Sequence, residues 1–336
     1  MNIFINGLGR IGKLVFRRLC DEGLYKKIHS VNEKEGIPSD QEYFLKYDSV
    51  HGSWGEKLNF KNNNLFYKEH PIRVSNFNHI EDLSFPEATP NIAIDCTGKF
   101  KDEKSLQAYF DKGIDYVLVS APIDSENVFN IVYGINHNDV NLEKYKILTA
   151  ASCTTNCLAP IVKVLETNIG ISHGSITTIH NITNTQTIAD SPNSNLRRSR
   201  SGINSLIPTT TGSAKAISLI YPKLKGRLNG HAVRVPLLNS SLTDCVFEMK
   251  KKTDKETINQ LFRDASKTYL KNIISYEDKP LVSTDYVNNP NSSIIDCLST
   301  MVVNDTQLKV YAWYDNEWGY ACRMVDIVSF LTNKLG

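Results

Sequence analysis

The chain has 336 residues, of which 41% are hydrophobic and 22% are charged, and its formal net charge at pH 7 is +2. This balance is typical of a globular chain of about two domains, and the small charge argues against binding to nucleic acid or to an anionic membrane surface. No apolar run approaches the roughly 18–20 residues that cross a bilayer, so no membrane insertion is expected.

The seven cysteines follow no framework spacing, and no Cys/His cluster has the spacing of zinc ligands. Scattered free thiols of this kind indicate a reducing compartment. The first residues lead directly into an apolar strand pattern, which leaves no room for a signal peptide. We therefore expect a cytoplasmic protein without a metal site.

In the first half of the chain, short apolar runs alternate with helix-like stretches. Residues 2–6 predict a strand, residues 11–20 have helical apolar spacing, and a second strand ends near Val31. Three later runs with little alternation are residues 92–96, 116–120 and 146–150. Such runs are typical of strands buried on both faces of a parallel sheet, and the helix-like residues 103–112 between them indicate an α/β domain.

The second half has a different pattern, in which apolar and polar residues alternate. The alternating segments are residues 175–180, 231–235, 242–249 and 308–313. Alternation predicts a mixed or antiparallel sheet with one covered face. The polar residues 181–205 predict a long functional loop, because long loops are otherwise uncommon, and residues 324–335 predict a closing helix.

A glycine-rich motif follows the first predicted strand. Gly7, Gly9 and Gly12 fit the pattern G-x-G-x-x-G at the start of a helix, and Glu33 stands about twenty residues later at a strand end. These residues give a tight turn, close approach to a pyrophosphate and an acceptor for ribose hydroxyls. The carboxylate of Glu33 would repel a 2′-phosphate, so NAD is favoured over NADP, although Lys34 beside it keeps NADP open.

Cys153 stands at a predicted strand-to-helix corner, where the positive end of the helix favours thiolate over thiol. Because the thiolate is the nucleophile, this position predicts covalent redox chemistry on a carbonyl. Of the eight histidines, His180 is the best candidate for the general base, since it ends a strand just before the long polar loop. Cys157, one helical turn later, is predicted to be a buried structural thiol.

Candidate anion-binding residues lie further along the chain. Residues 209–213 form a hydroxyl- and amide-rich segment that predicts a phosphate-binding turn, and Arg198 and Arg234 supply positive charge. The arginine run at 196–200 is also compatible with a solvated loop or a nucleic-acid patch. Neither aromatic interleaving nor a wider basic field supports the nucleic-acid alternative.

Seven blocks of the chain resemble the glyceraldehyde-3-phosphate dehydrogenase family in the correct order. They are residues 6–12 (NGLGRIG), 46–52 (KYDSVHG), 96–100 (CTGKF), 152–160 (SCTTNCLAP), 207–212 (IPTTTG), 224–230 (LKGRLNG) and 313–319 (WYDNEWG). The resemblance implies an α/β fold in which residues 1–152, completed by a helix at 316–336, form a Rossmann-type doubly wound parallel sheet domain that binds NAD. Residues 153–315 would form an α+β catalytic domain with a mixed, largely antiparallel sheet, and the long polar loop would lie at the centre of a homotetramer.

The resemblance also implies roles for individual residues. Cys153 would attack the aldehyde with His180 as base, giving a thiohemiacetal and then a thioester, which inorganic phosphate cleaves to 1,3-bisphosphoglycerate. Thr183 and Arg234 resemble the site for the C3 phosphate of the substrate. Residues that resemble the inorganic-anion site are Ser152, Thr154, Thr211 and Gly212, with Arg198 nearby. Residues implied in cofactor binding are Gly7, Gly9, Arg10, Ile11, Gly12, Glu33, Thr97, Gly98, Ser120, Asn316 and Tyr320, of which Asn316 would orient the nicotinamide.

Some positions depart from the common family pattern. Thr185 stands where the family commonly has Asp, Glu33 replaces a frequent Asp, and residues 189–195 lack the usual character of the loop. The blocks at 180–186 (HNITNTQ) and 295–304 (IDCLSTMVVN) are more similar to an arsenic-resistance branch. Its members use arsenate in place of phosphate, and a membrane exporter removes the 1-arseno-3-phosphoglycerate. This resemblance implies arsenate detoxification with the exporter as a functional partner.

Several alternatives remain open from the sequence. The chain could be a glycolytic housekeeping enzyme, or an erythrose-4-phosphate dehydrogenase in which water accepts the acyl group. Semialdehyde dehydrogenases share the glycine motif and the thiol but not the intervening blocks. A binding or regulatory protein on the same scaffold is disfavoured by the presence of Cys153, His180, Arg234 and Asn316.

Overall fold

The computed structural model of the chain describes residues 1–86 and 88–335. The chain divides into two compact units. The first unit comprises Met1–Ser152 together with the chain from Ala321 onward, and the second unit is Cys153–Tyr320. Each unit is built on its own sheet.

Among the described residues, the sheet of the first unit has nine strands. They are β1 (Ile3–Asn6), β2 (Ile28–Asn32), β3 (Leu58–Lys61), β4 (Asn64–Tyr67), β5 (His70–Ser75), β6 (Ile92–Asp95), β7 (Tyr116–Val119), β8 (Val128–Asn130) and β9 (Ile147–Thr149). The strand order is β3-β4-β5-β2-β1-β6-β7-β9-β8, and every pair is parallel except β3/β4 and β4/β5. The antiparallel edge was not predicted, but the parallel Rossmann sheet is confirmed.

The helices of the first unit include α1 (Arg10–Asp21), α2 (Asp40–Lys46) and α3 (Glu103–Asp111). Every residue of β1, β6 and β7 is buried, which explains their unbroken apolar runs. Phe4 of β1, Ala93 of β6 and Val117 of β7 share one core cluster with Leu106 and Tyr109 of α3. Between β1 and β6 the strand order reverses, and such a reversal opens a crevice at the carboxyl ends of the strands.

The second unit begins with α4 (Cys153–Asn168) and carries a seven-stranded sheet within the described residues. Its strands are β10 (Ile171–Asn181), β11 (Ile207–Thr210), β12 (Leu228–Val235), β13 (Ser241–Met249), β14 (Ile274–Glu277), β15 (Ser293–Val303) and β16 (Gln307–Tyr314). The order is β11-β12-β10-β13-β16-β15-β14. Only β10/β12 and β14/β15 are parallel, so the predicted mixed, largely antiparallel sheet is confirmed.

The remaining helices are α5 (Ser213–Ile220), α6 (Lys255–Lys267) and α7 (Trp318–Leu335). Side chains along β13 and β16 alternate between buried and less buried positions, as the alternating sequence predicts for a sheet covered on one face. Helix α4 packs against β10, β13, β15 and β16. This packing holds α4 against the sheet that contains β10, the strand that the polar loop follows.

Candidate active site

Cys153 is the first residue of α4 and follows the connection from β9. The helix dipole places partial positive charge beside its thiol. The connection contains Ala151, whose φ of 53° lies in the left-handed region that non-glycine residues rarely adopt. Strain of this kind clusters next to functional side chains, and here it precedes the predicted nucleophile by two positions.

His180 is the partner of this thiol. The residue lies next to last in β10, is 5% exposed, and its Nε2 is 3.6 Å from Sγ of Cys153. Its Nδ1 lies 2.8 Å from the carbonyl oxygen of Asn181. When Nδ1–H donates to this carbonyl, Nε2 presents a lone pair to the thiol, which is the tautomer that a general base needs.

Arg234 completes the cluster because β10 and β12 are parallel neighbours with His180 and Arg234 in direct register. Its Nη1 donates to the carbonyl of Asn181 at 3.1 Å and lies 2.7 Å from Nδ1 of His180. Nη1 could donate to Nδ1 only in the other tautomer, in which Nε2 carries the proton and cannot accept that of the thiol. Its Nε is buried without a hydrogen-bond partner among the described residues. A guanidinium with an unused donor beside a nucleophile is suited to binding an anionic group of a substrate.

Burial dominates the protonation of this cluster. It lowers the pKa of His180 to about 3, and the positive charge of Arg234 adds to this effect. Burial likewise raises the pKa of the Cys153 thiol, although Arg234 and hydrogen bonding from Thr154 oppose the rise. Hydrogen bonds from the backbone at the start of α4 lower the pKa of the thiol, in the direction expected for a helix start, but burial outweighs them. These directions favour a neutral thiol beside a neutral imidazole. The neutral imidazole is the form that can accept the proton of the thiol.

The predicted anion-binding turn is shorter than expected. Thr209 and Thr210 belong to β11, so that only Thr211 and Gly212 connect the strand to α5. The hydroxyl of Thr211 accepts the backbone N–H of Ser213 at 3.3 Å and donates to its Oγ at 3.1 Å. A Cβ built on Gly212 would meet no atom within 4 Å, so the backbone at the start of α5 has open space beside it for an anion.

The other predicted anion residues of α4 and its start are differently placed. Ser152 is the last residue of the first unit, directly before Cys153. Thr154 is buried, and its hydroxyl lies 2.9 Å from Oη of Tyr314, which in turn lies 2.8 Å from Oγ1 of Thr178. The hydroxyl of Thr154 is therefore shared with Tyr314, a residue that the sequence analysis did not single out.

Thr183 and Arg198 lie in the loop between β10 and β11. Thr185 connects them: its Oγ1 lies 2.9 Å from Oγ1 of Thr183 and accepts a hydrogen bond from Nη1 of Arg198 at 2.7 Å. Burial lowers the pKa of Arg234, and the positive charge of Arg198 contributes to the lowering. The guanidinium groups of Arg198 and Arg234 are therefore close enough in the second unit for the charge of one to affect the pKa of the other.

In the first unit, the glycine motif forms the turn between β1 and α1. Gly7 has a φ of 88°, and a Cβ there would lie 2.9 Å from the backbone of Cys96 and Thr97. A Cβ on Gly12 would lie 1.8 Å from the carbonyl oxygen of Gly7. A Cβ on Gly9, in contrast, would meet nothing within 4 Å. Gly7 and Gly12 are therefore packed against protein backbone, whereas Gly9 has open space beside it through which a pyrophosphate could approach.

Glu33 follows β2 and holds this turn. Its Oε2 accepts the backbone N–H of Leu8 at 2.6 Å, and its Oε1 accepts that of Glu35 at 3.0 Å. The side chain of Arg10 makes a bidentate ion pair with Asp48, at 2.6 and 3.1 Å. At the start of α1, the backbone of Arg10 and that of Ile11 could contribute to a pyrophosphate site.

Thr97, Gly98 and Ser120 lie at the carboxyl ends of β6 and β7, on the same edge as the glycine turn. The backbone N–H and hydroxyl of Thr97 donate to Oδ1 of Asp95 at 3.1 and 2.8 Å. Oη of Tyr109 donates to Oδ2 of Asp95 at 2.6 Å. Sequence reasoning missed Asp95 because it stands inside an apolar strand, where an acid gives no motif.

Asn316 is buried in the second unit, and its Oδ1 accepts a hydrogen bond from Oγ of Ser241 at 3.1 Å. The same Oγ lies 3.3 Å from Oδ1 of Asn181, next to His180. Ser241 thus connects Asn181, the neighbour of the predicted base, to the predicted nicotinamide ligand, although no motif in the sequence marks it. Tyr320 is buried in α7.

Comparison with known proteins decides the family. The family described as "Glyceraldehyde 3-phosphate dehydrogenase, NAD binding domain" matches residues 1–103, and "Glyceraldehyde 3-phosphate dehydrogenase, C-terminal domain" matches residues 152–316. Similar proteins include glyceraldehyde-3-phosphate dehydrogenase 3 of Nostoc sp., 49% identical over 97% of both chains. Glyceraldehyde-3-phosphate dehydrogenase 2 of Bacillus subtilis is 41% identical over 100% of this chain and 98% of its own, and the Geobacillus stearothermophilus enzyme is 40% identical over 99% of both. The chain belongs to the glyceraldehyde-3-phosphate dehydrogenase family.

Membership of the glyceraldehyde-3-phosphate dehydrogenase family agrees with the implied cofactor, which is NAD. Within the described residues, no group of three or more His, Cys, Asp or Glu side chains could hold a metal ion. No helix in the part of the chain that the structure describes is long and apolar enough to cross a membrane.

Proposed function

We propose that the chain is a phosphorylating glyceraldehyde-3-phosphate dehydrogenase. It oxidises D-glyceraldehyde 3-phosphate with NAD and an inorganic oxyanion, giving 1,3-bisphosphoglycerate when the oxyanion is phosphate. The proposal rests on the 3.6 Å contact between Sγ of Cys153 and Nε2 of His180, with Arg234 on the adjacent strand. A nucleophile, a base and a cation for the substrate are what this reaction requires.

The first unit supplies a site that fits NAD. The open space beside Gly9 and the close packing of Gly7 and Gly12 allow a pyrophosphate to approach the backbone of Arg10 and Ile11. Glu33 would accept ribose hydroxyls. Thr97, Gly98 and Ser120 would complete the site on the neighbouring strands. In the second unit, the family resemblance supports Asn316 and Tyr320 as residues that would bind the nicotinamide. When bound, NAD accepts the hydride of the reaction.

The residues of the second unit carry out the covalent steps. His180 takes the proton of Cys153 while Sγ bonds to the aldehyde carbon, and the backbone N–H of Cys153 would stabilise the oxyanion. The imidazolium of His180 then returns this proton to the oxyanion, which gives the hydroxyl of the thiohemiacetal and a neutral His180. Loss of a hydride from the thiohemiacetal and of its hydroxyl proton to His180 gives the thioester. The inorganic oxyanion then attacks the acyl carbon, the C–S bond breaks, and the sulfur regains the proton that His180 holds.

Two anion positions are proposed for this reaction. Thr183 and Arg234 would bind the C3 phosphate of the substrate. The residues proposed for the inorganic oxyanion are Ser152, Thr154, Arg198, Thr211 and Gly212. The open backbone of Gly212 at the start of α5 and the cationic pair of Arg198 and Arg234 support both positions.

The proposed reaction assigns cofactor binding to one part of the chain and the covalent steps to the other. Residues 1–152 with 316–336 would bind NAD, and residues 153–315 would carry catalysis.

We propose a cytoplasmic homotetramer with the loop between β10 and β11 at its centre. The loop exposes four large apolar side chains, which a monomer would leave in water: Ile188, Leu196, Ile203 and Leu206. Light scattering after size exclusion would measure the mass, and a monomer at assay concentration would contradict the tetramer.

We further propose that arsenate is the physiological acceptor, and that a membrane exporter removes the 1-arseno-3-phosphoglycerate. The support is the resemblance of residues 180–186 and 295–304 to an arsenic-resistance branch and the replacement of an acid by Thr185. Deletion of the gene should sensitise cells to arsenate and spare growth on glucose. Loss of growth on glucose with unchanged arsenate tolerance would instead identify a glycolytic enzyme.

The central experiment measures NADH formation from D-glyceraldehyde 3-phosphate and NAD with phosphate, with arsenate and with neither. We expect formation that depends on either oxyanion and is abolished in Cys153→Ser. NADH formation from erythrose 4-phosphate without any oxyanion would favour an erythrose-4-phosphate dehydrogenase. Full activity of Cys153→Ser would overturn the covalent mechanism.

A further inference from the structure

Tyr314 is a buried tyrosine at the end of β16, and its hydroxyl lies between two threonine hydroxyls. Its Oη is 2.9 Å from Oγ1 of Thr154 and 2.8 Å from Oγ1 of Thr178. The side chain of Thr154 in turn hydrogen-bonds to the thiol of Cys153 and lowers the pKa of that group. Hydroxyl groups from β10, β16 and the first turn of α4 therefore form a chain that ends at the nucleophile.

The thiolate determines the direction of this chain. A sulfur anion only accepts hydrogen bonds, so the single hydroxyl proton of Thr154 points to Sγ of Cys153 when the thiolate forms. Tyr314 is then the donor in its contact with Thr154, and its own proton is used there. Thr178 must therefore donate to Tyr314. All three protons point towards the sulfur, and hydrogen bonds in such a buried chain strengthen one another.

The charged and titratable groups around Cys153 come from several elements. His180 of β10 contacts its Sγ at 3.6 Å, Arg234 of β12 lowers its pKa, and Cys157 is a buried thiol one turn along α4. On β16, burial raises the pKa of Tyr314, so its hydroxyl keeps its proton and can donate. Its ring also packs edge-on against His180, with centroids 6.1 Å apart. A phenylalanine at this position would keep the ring and remove only the hydroxyl.

We propose that Tyr314 is a positioning residue for the nucleophile, which acts through Thr154 by holding the hydroxyl proton of that threonine towards Sγ of Cys153. The inference rests on the proposed function, in which Cys153 attacks the aldehyde. Without the hydroxyl of Tyr314, Thr154 loses its donor and its own proton can turn away from the sulfur. Less of the thiol then ionises at a given pH, and the nucleophile reacts more slowly.

The test measures alkylation of Cys153 by uncharged iodoacetamide across about pH 6 to 10, followed by mass spectrometry of the peptide that carries this residue. Tyr314→Phe should slow alkylation at pH 7 about two- to tenfold and move the profile to higher pH. Thr154→Val should do the same, whereas Thr154→Ser keeps the hydroxyl and should stay within about twofold of the wild type. Adding Tyr314→Phe to Thr154→Val should have less than about a twofold further effect, because the two hydroxyls act in one chain.

Tyr221→Phe is the matched control, because Oη of Tyr221 donates to the carbonyl of Ala159, further along α4, at 3.1 Å. It removes a tyrosine hydroxyl from the same helix and should leave the profile unchanged. Thr178→Val removes the first hydroxyl of the chain and should shift the profile in the same direction as Tyr314→Phe, which gives a second test if that variant does not fold.

Three results would overturn the inference: an unchanged profile in Tyr314→Phe, effects of Tyr314→Phe and Thr154→Val that multiply in the double variant, or an equal shift in Tyr221→Phe. The thermal midpoint of each variant identifies a folding defect. Absence of oxyanion-dependent NADH formation in the wild type would instead overturn the proposed function.

Discussion

His180 and Arg234 are 54 positions apart in the sequence, yet they lie opposite each other on adjacent parallel strands. Burial and the neighbouring guanidinium both lower the pKa of His180, which keeps the imidazole neutral and able to accept a proton. Burial also raises the pKa of the Cys153 thiol. The thiol therefore depends on its histidine partner for activation, and this dependence can be measured directly.

His180→Asn should lower kcat/KM by about 10²- to 10⁴-fold, because it removes the imidazole whose Nε2 contacts Sγ of Cys153 and can take its proton. The alkylation of Cys153 by iodoacetamide should also slow, and its pH profile should move to higher pH. The sign follows from the raised pKa of the thiol: without an imidazole to accept the proton, thiolate forms only as the pH approaches that pKa. Alkylation rates across about pH 6 to 10 would measure the shift.

The matched control is His173→Asn, which changes an exposed histidine of the same strand, β10. It should leave both kcat/KM and the alkylation profile unchanged. If His180→Asn showed the wild-type profile, the histidine would not activate the thiol, and another base would have to be sought.

At the scale of elements, side chains from several elements meet in one buried polar network under the nucleotide edge of the first unit. Oη of Tyr109 on α3 donates to Asp95 of β6 and accepts from Nδ2 of Asn6 of β1, each at 2.6 Å. Nδ2 of Asn32 of β2 donates to Oδ1 of Asn6 at 2.9 Å. The network ties together the carboxyl ends of the three strands at the crevice where the cofactor is proposed to bind.

Tyr109→Phe should destabilise the protein by about 1–3 kcal/mol at about pH 7, because it removes a donor from a buried carboxyl. Burial raises the pKa of Asp95, whereas hydrogen bonds from Tyr109 and Thr97 lower it. Since a carboxyl whose pKa is raised by folding stabilises the protein at low pH and loses this effect as the pH rises, the variant should lose less stability at about pH 4. Urea unfolding at both pH values measures the difference.

Tyr116→Phe is a suitable control, because the hydroxyl of Tyr116 donates to the carbonyl of Leu142 at 3.2 Å and accepts from Nζ of Lys146 at 3.0 Å, neither of which is a carboxyl. Its loss of stability should not depend on pH in this range. Equal losses for Tyr109→Phe at the two pH values would show that the protonation state of Asp95 does not change between them, and would contradict the raised pKa of this carboxyl.

Ser241, at the start of β13, joins β10 to the segment after β16 through Asn181 and Asn316. Ser241→Ala should lower kcat about tenfold by loosening Asn316, and it should raise the deuterium isotope effect measured with aldehyde labelled at the transferred hydrogen. Thr300→Val is the control, because it removes a buried hydroxyl that has no partner among the described residues. An unchanged isotope effect in Ser241→Ala would mean that the serine is structural only.

At the scale of the whole molecule, periodicity and motifs predicted both sheets, the glycine turn, and the placing of Cys153 and His180 at element ends. These features are local, because a strand buried on both faces of a sheet has an unbroken apolar run and a strand buried on one face alternates apolar and polar residues. The contacts of Asp95, Thr185 and Ser241 could not be predicted, because each depends on the register between elements distant in the chain. The opposing effect of burial on the thiol pKa could not be predicted either, because burial depends on the packing of the entire unit.

Cofactor preference can be tested on the stability of the whole chain without catalysis. NAD at about one hundred times its Kd should stabilise the protein by about 2.7 kcal/mol, because a ligand that binds only the folded state shifts the unfolding equilibrium. NADP at the same concentration should stabilise it less, since the carboxylate of Glu33, which is fixed by the N–H groups of Leu8 and Glu35, repels the 2′-phosphate. Thermal unfolding of Cys153→Ser with each cofactor would measure both shifts, with adenosine as a control for binding without the dinucleotide. An NADP shift equal to or larger than that of NAD would show that Lys34 rather than Glu33 determines the preference.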